Sequence, residues 1–368
     1  MTQRWNDYVF ANGTGTAPRD LMGAASSSGS PSLYVLGVGF DPRCLVGLRE
    51  FLELDHDVPP KIMRIEMAPP GPATQPRVIQ MATQHLEEFE ALTNDFDVGT
   101  ISYPTVEDPY SAGTVLARVM TESKQLAGVG HLTIDISSMP STLFFPAIKA
   151  ALKASDRPSG TEGHFDGEIQ VVVCENPQMD ASIRELGISD ASFVGGFRPK
   201  GHGDADPDGP TIWVPVLGEN AELALRAIHN LLEPNDICPV LPFPALEPRR
   251  ADSLVLEHRT VLFEAFNVRA SDFVYSDERN PFDLYLALCR LERDYRSALE
   301  TLGPTMVALS AHGSKLLSVG MLLAAYEREI PIAAAAVDDY EIVAGASLET
   351  FSEANQLCCL WLAGAPYR

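Results

Sequence analysis

Basic residues are scarce in this chain of 368 residues: 27 lysines and arginines stand against 50 aspartates and glutamates, a formal charge of −23. Such a surface repels a phosphate backbone unless its few cations gather in one groove, so bulk nucleic-acid binding is not expected. A small anionic ligand is a different case, because a few backbone N–H groups and one or two cationic side chains hold it against the global field. The six cysteines (Cys44, Cys174, Cys238, Cys289, Cys358, Cys359) form no CxxC pair and no regular spacing. That excludes a zinc ribbon and a disulfide framework, and it leaves reduced core thiols in a cytoplasmic protein as the expectation. No apolar run approaches the roughly 18 residues that span a bilayer, and no signal-peptide pattern opens the sequence, so membrane association is not expected. The eight histidines are scattered without metal-ligand spacing. There is no GxSxG elbow, HExxH pair or DxDxT loop either, so neither a metal nor a cofactor is expected and catalysis has no positive mark.

What the chain does contain is an alternation. The first 32 residues are rich in Gly, Ser and Pro and read as a flexible leader. From residue 33 short β-rich apolar runs (33–40, 62–67, 98–103, 132–136, 169–174) alternate with amphipathic stretches near 43–54, 77–94, 110–126 and 141–153. The stretch 195–210, GGFRPKGHGDADPDGP, holds eight glycines or prolines and reads as a linker. After it the order begins again, with strands at 212–217, 237–241, 272–275, 306–310 and 332–337 and helices near 219–233, 251–266, 282–302 and 314–328. Residues 356–364, with CCLWLAG, read as one further buried strand.

Strands alternating with helices predict mainly parallel sheets covered by helices on both faces. The fold expected is two tandem Rossmann-like three-layer α/β domains, 33–194 and 211–368. Their blocks match, Tyr103 falling over Tyr275 and Pro109 over Pro281, which suggests internal duplication; two unrelated α/β domains are the alternative.

In open parallel sheets ligands lie beyond the carboxyl ends of the strands, where helix N-termini converge. Four loops qualify by position. In GVGFDPR (37–43), Gly39 permits close backbone approach, Asp41 and Pro42 suit a helix start, and Arg43 can reach an anion. The pattern is not GxGxxG, which disfavours a dinucleotide. In DISSMPST (135–142), Asp135 suits a ribose, and Ser137, Ser138 and Ser141 suit a phosphate. In SAHGSKLL (310–317), Gly313, Ser314 and Lys315 offer N–H groups, a hydroxyl and a cation at a helix start, and His312 can hydrogen-bond a base or phosphate. The acidic turns 107–109 and 277–281 read as helix caps, with divalent-metal binding as the other role. The first two loops are equally readable as ordinary capped turns, while 310–317 is the strongest anion-site candidate, with a plain helix start as its alternative.

With these loops in place, the arrangement resembles the tandem Rossmann-like sensor domains of prokaryotic antiviral systems, the CARF and SAVED groups, over about residues 33–340. The resemblance implies a cyclic or linear oligonucleotide messenger held across two units, by 39–43 with 218–220 and by 135–141 with 310–315. No effector domain is visible in the sequence, so any output would come from a separate protein partner. The leading expectation is therefore a non-catalytic sensor or accessory subunit, of the kind found in prokaryotic antiviral defence, that binds a nucleotide-like anion between its two halves. The alternatives are an enzyme acting on a small phosphorylated or nucleotide substrate, with Asp41 or Asp135 as general base or metal ligand, and a scaffold in a multiprotein assembly.

Overall fold

A computed structural model describes residues 3–26, 29–66, 75–102, 109–122, 125–188, 190–199, 209–343 and 354–368, and it divides the chain into two compact units. The N-terminal unit comprises Asp7–Leu186 and Asp338–Arg368; the C-terminal unit comprises Gly187–Val337 together with Met1–Asn6. Along the chain come β1 (Val9–Gly13), α1 (Ala17–Ser26), β2 (Ser32–Val38), α2 (Val46–Leu52), β3 (Lys61–Glu66), α3 (Pro76–Thr93) and β4 (Asp97–Ser102). Then follow α4 (Pro109–Glu122), β5 (His131–Asp135), α5 (Ser141–Ser155), β6 (Glu168–Glu175), α6 (Pro177–Asp180) and β7 (Ile183–Ile188). The C-terminal unit supplies β8 (Ser192–Phe193), β9 (Thr211–Val216), α7 (Glu222–Leu232), β10 (Asp236–Ile237), β11 (Val240–Pro242), α8 (Arg250–Glu257), β12 (Val274–Ser276), α9 (Pro281–Ala298), β13 (Met306–Ala311), α10 (Lys315–Arg328) and β14 (Ala333–Ala334). The chain ends in β15 (Val337–Ile342) and β16 (Gln356–Ala363).

The N-terminal sheet has seven strands in the order β1-β16-β6-β5-β2-β3-β4. Five are parallel, and two registers fix the centre: Leu36 lies opposite Asp135 on one side and Arg64 on the other. Strands β2 and β6 are apolar almost without interruption and buried on both faces, as parallel strands under helices must be. Tyr34, Leu36 and Val38 pack with Leu48, Phe51 and Phe89 of α2 and α3; Met22 of α1 joins Val172, Cys174 and Cys359 on the same face. Right-handed crossovers in the parallel order β4-β3-β2-β5-β6 place helices on both faces of the sheet.

In the C-terminal unit β9 is central and parallel to all its neighbours. It pairs with β13 on one side and with β10 and β11 on the other, and β12 lies beyond β11. Beyond β13, Ile332 bridges Leu309 in parallel. The core gathers Trp213, Leu225, Ile228, Leu241, Leu254 and Leu262. The order β12-β11-β9-β13 with Ile332 outermost is the same progression as β4-β3-β2-β5-β6 in the other sheet, so both units are doubly wound α/β folds with mainly parallel strands.

The ends of the chain depart from the expected division. The stretch expected to be a leader contains β1 and α1, and Trp5 is fully buried in the C-terminal unit, edge-on to Tyr285 at 5.5 Å. Glycine and serine content masked one aromatic anchor and one strand that pairs antiparallel with β16. Strand β16, expected within the C-terminal domain, instead pairs with β6 from Gln356 opposite Glu175 to Ala363 opposite Ile169. An eight-residue strand buried along nearly its whole length needs a sheet edge long enough to receive it, and β6 supplies eight residues. Of the predicted linker, residues 200–208 lie outside the described residues, as do residues 103–108, which hold Tyr103 and most of the first acidic turn.

Candidate functional site

Strand order reverses between β2 and β5 in the N-terminal sheet, so the loops 37–43 and 135–141 meet at one switch point, as expected. Their side chains turn inward. Asp41 accepts from the Arg43 backbone N–H at 3.0 Å and from its guanidinium at 2.8 Å, and Asp180 takes the other end of Arg43 at 2.7 Å. Arg43 is 3% exposed. Burial works against its charge, but the carboxylates of Asp180 and Asp41 outweigh that cost and keep it protonated. The Gly39 carbonyl accepts from His85 at 2.7 Å, and Ser138 Oγ donates to the Gly37 carbonyl at 2.6 Å.

Asp135 is 1% exposed and already satisfied by its neighbours. Tyr34 donates to its Oδ2 at 2.7 Å; Ser137 donates to its Oδ1 from both backbone N, at 2.9 Å, and Oγ, at 2.5 Å. Ser137 Oγ in turn accepts from the Cys174 N–H at 2.9 Å. Burial, with Asp135 beside it, pushes the Tyr34 hydroxyl well above its usual range. Helix α2 sits directly on this pair through Gly47, where a Cβ would fall 2.5 Å from Asp135 Oδ2. Above the same edge, Tyr340 of β15 packs on Phe40 at 5.6 Å, and Ile342 packs with Val78 and Met179. Ser141 opens α5, as expected of a helix start. The polar residues chosen from sequence are thus brought together, but as a closed internal network.

The C-terminal switch point, between β9 and β13, is built differently. Loops 217–221 and 311–314 cross in backbone contact, since a Cβ on Gly218 would lie 1.6 Å from the His312 carbonyl oxygen. Only glycine fits there. His258 of the α8 end, 1% exposed, donates from Nε2 to the Gly218 carbonyl at 2.7 Å, while its buried Nδ1 has no partner. Trp213 Nε1 donates to Ser310 Oγ at 3.0 Å, and the same oxygen shares a hydrogen bond with His312 Nε2 at 2.9 Å. Burial, reinforced by His258, pushes the His312 pKa down to about 3, so the ring is neutral at physiological pH.

Ser314 caps α10, its Oγ accepting from the Leu317 N–H at 3.2 Å. The turn residues 311–313 and Lys315 are half-buried rather than sealed. The second acidic turn is a cap, as expected: Asn280 Oδ1 accepts from the Phe282 N–H at 3.1 Å at the start of α9.

The contacts that join this edge escaped the sequence reading, as did Arg250, Phe243 and the partnership of Tyr275. Arg250 of α8 ion-pairs with Glu219 at 3.0 Å and with Glu278. Glu278 also accepts from the Leu246 N–H at 2.9 Å and donates its own N–H to the Pro244 carbonyl at 3.0 Å. Phe243 N–H bonds the Ser276 carbonyl at 2.7 Å. The loops after β11 and β12 are therefore clamped together, and on them stand two aromatic rings, Phe243 (57% exposed) and Tyr275 (55% exposed). Their centroids are 6.1 Å apart and their planes meet at 76°. The one sequence signal was Pro242-Phe243-Pro244, an aromatic held between two prolines at a strand end.

Among the described residues no group of three or more His, Cys, Asp or Glu side chains is placed to hold a metal ion, and no helix is long and apolar enough to cross a membrane. No protein-family model and no curated protein matches the chain. Among solved structures, a universal stress protein from Pseudomonas aeruginosa UCBPP-PA14 aligns at 12% identity and a TM-score of 0.23, covering 85% of this chain and 94% of its own. At that score the likeness carries no argument about what this chain does.

Proposed function

We propose that the protein is a binding module for a nucleotide-like anion, held at the β13–α10 turn of the C-terminal unit, and that it acts as a sensor or accessory subunit whose output is delivered by a separate protein. The observation that carries this reading is the turn 312–315, in which His312, Gly313 and Lys315 are half-buried around a buried Ser314, at the point where strand order reverses. A helix start carries a partial positive charge of about +0.5, which favours an anion beside it. Lys315 adds a cation at the first helical position, and a neutral His312 carries an N–H donor without needing to be charged.

The surrounding acids are partly compensated: Glu219 and Glu278 share the guanidinium of Arg250, which balances one of their two charges, and the Glu257 carboxylate accepts from the Asn220 N–H at 2.6 Å. The closed network at the N-terminal switch point favours the C-terminal turn over loops 37–43 and 135–141 as the place of binding.

Thermal unfolding with a panel of inorganic phosphate, mononucleotides and cyclic dinucleotides tests it. At least one compound is expected to raise the melting temperature by about 2 °C or more, which corresponds to a ligand well above its Kd. Lys315→Ala is expected to abolish the shift. No shift with any compound overturns the proposal.

A further inference from the structure

Resting on that reading, we infer that the ligand is a purine mononucleotide whose base stacks in the corner made by Phe243 and Tyr275. The order of strands lays the groups out in a row along the carboxyl edge of one sheet. The helix start at Ser314 and Lys315 follows β13, Glu219 follows the adjacent β9, and the aromatic corner sits on β11 and β12. With parallel strands about 4.8 Å apart, the corner lies two to three strand spacings, roughly 10–15 Å, from the phosphate-binding turn. A phosphate, then a diol, then a flat ring is the same sequence of chemistries in a nucleoside monophosphate.

Each position suits its part. Glu219 is partly exposed and already held by Arg250, so its carboxylate is oriented to accept from ribose hydroxyls. The two rings stand at 76° to one another, so a base laid flat on one meets the edge of the other, both favourable geometries for aromatic groups. Base-on-aromatic stacking typically contributes enough to change affinity by tenfold or more.

One feature separates this corner from ordinary exposed side chains. Its loops are locked by the Arg250–Glu278 ion pair, by two backbone hydrogen bonds and by the Leu246 N–H bond to the Glu278 carboxylate, so the rings are preorganised.

Calorimetric titration of the full chain with AMP, ribose 5-phosphate and adenosine tests the inference. AMP is expected to bind at least tenfold tighter than ribose 5-phosphate. Phe243→Ala and Tyr275→Ala are expected to close that gap while leaving ribose 5-phosphate unchanged, and Tyr275→Phe to keep it open. Both rings are more than half exposed, so these variants should melt as the parent does. Equal binding of AMP and ribose 5-phosphate, with both lost in Lys315→Ala, overturns the aromatic subsite and leaves the anion site standing. A gap that persists in both alanine variants puts the base elsewhere and overturns it too. No binding of any of the three overturns the inference, and the phosphate and cyclic-dinucleotide arms of the unfolding panel decide whether the reading beneath it falls too.

Discussion

The two sheets share one strand progression and use it in opposite ways. In the N-terminal sheet the polar groups at the switch point are consumed internally: Arg43 by Asp41 and Asp180, Asp135 by Tyr34 and Ser137. In the C-terminal sheet the equivalent turn stays half-exposed and its histidine is neutral. Topology therefore selects where a site can be, and side-chain pairing decides whether it is one. The match in strand order is a match of topology alone, since the doubly wound arrangement recurs on many unrelated chains.

The sharpest way to break the comparison is to remove one cation from each switch point. Arg43→Ala leaves two carboxylates in or near the protein interior without their counter-charge and is expected to cost about 3–5 kcal/mol in chemical denaturation. Lys315→Ala, at a half-exposed helix start, is expected to cost under about 1 kcal/mol while removing anion binding. Equal costs would erase the distinction between a sealed and an open edge.

Next in size is acid sensitivity of the sealed side. Burial pushes the pKa of His131 down to about 4, against 6.5 for a free imidazole, in a cluster with Gln170, Thr133 and Ser32. The unfolded chain then binds the extra proton first. The neutral ring's contribution is fully present above pH 6.5 and is lost as the pH falls toward 4, to a total of about 3 kcal/mol. Stability curves of the parent and of His131→Gln are expected to converge across that window; parallel curves would show that His131 is not the titrating group.

The smallest effect sharpens the same contrast. Tyr34→Phe removes one buried donor from Asp135 and is expected to cost about 1–3 kcal/mol. Tyr275→Phe removes a hydroxyl from an exposed ring and is expected to change stability by less than about 0.5 kcal/mol. Urea titration of the two variants side by side decides it.

Much of the architecture was legible because it is written locally. The five apolar runs of the first half fall on β2 to β6 to within one or two residues, and α5 and α10 begin at or within one residue of the predicted starts. What escaped depends on partners distant in sequence. Nothing near 356 says that β16 joins β6 rather than the C-terminal sheet, and the polar content of 183–188 hid β7. For the site, Arg43 and Asp135 were correctly placed at the switch point. Their engagement was not legible, because Asp180 lies 137 residues from Arg43 and Tyr34 lies 101 from Asp135. Arg250 was overlooked for the same reason, and although 218–220 and 277–281 were named, nothing local says that Glu219 and Glu278 would meet on its guanidinium.

Residues up to Asn6, with Trp5, belong to the C-terminal unit, while β16 belongs to the N-terminal one. Severing the polypeptide anywhere in 195–210 therefore yields no pair of self-sufficient fragments: the first piece carries away an aromatic plug its sibling requires, and the second departs with a strand from the other's sheet. Co-expressed, such fragments would complement one another; made singly, each would present raw edges to solvent.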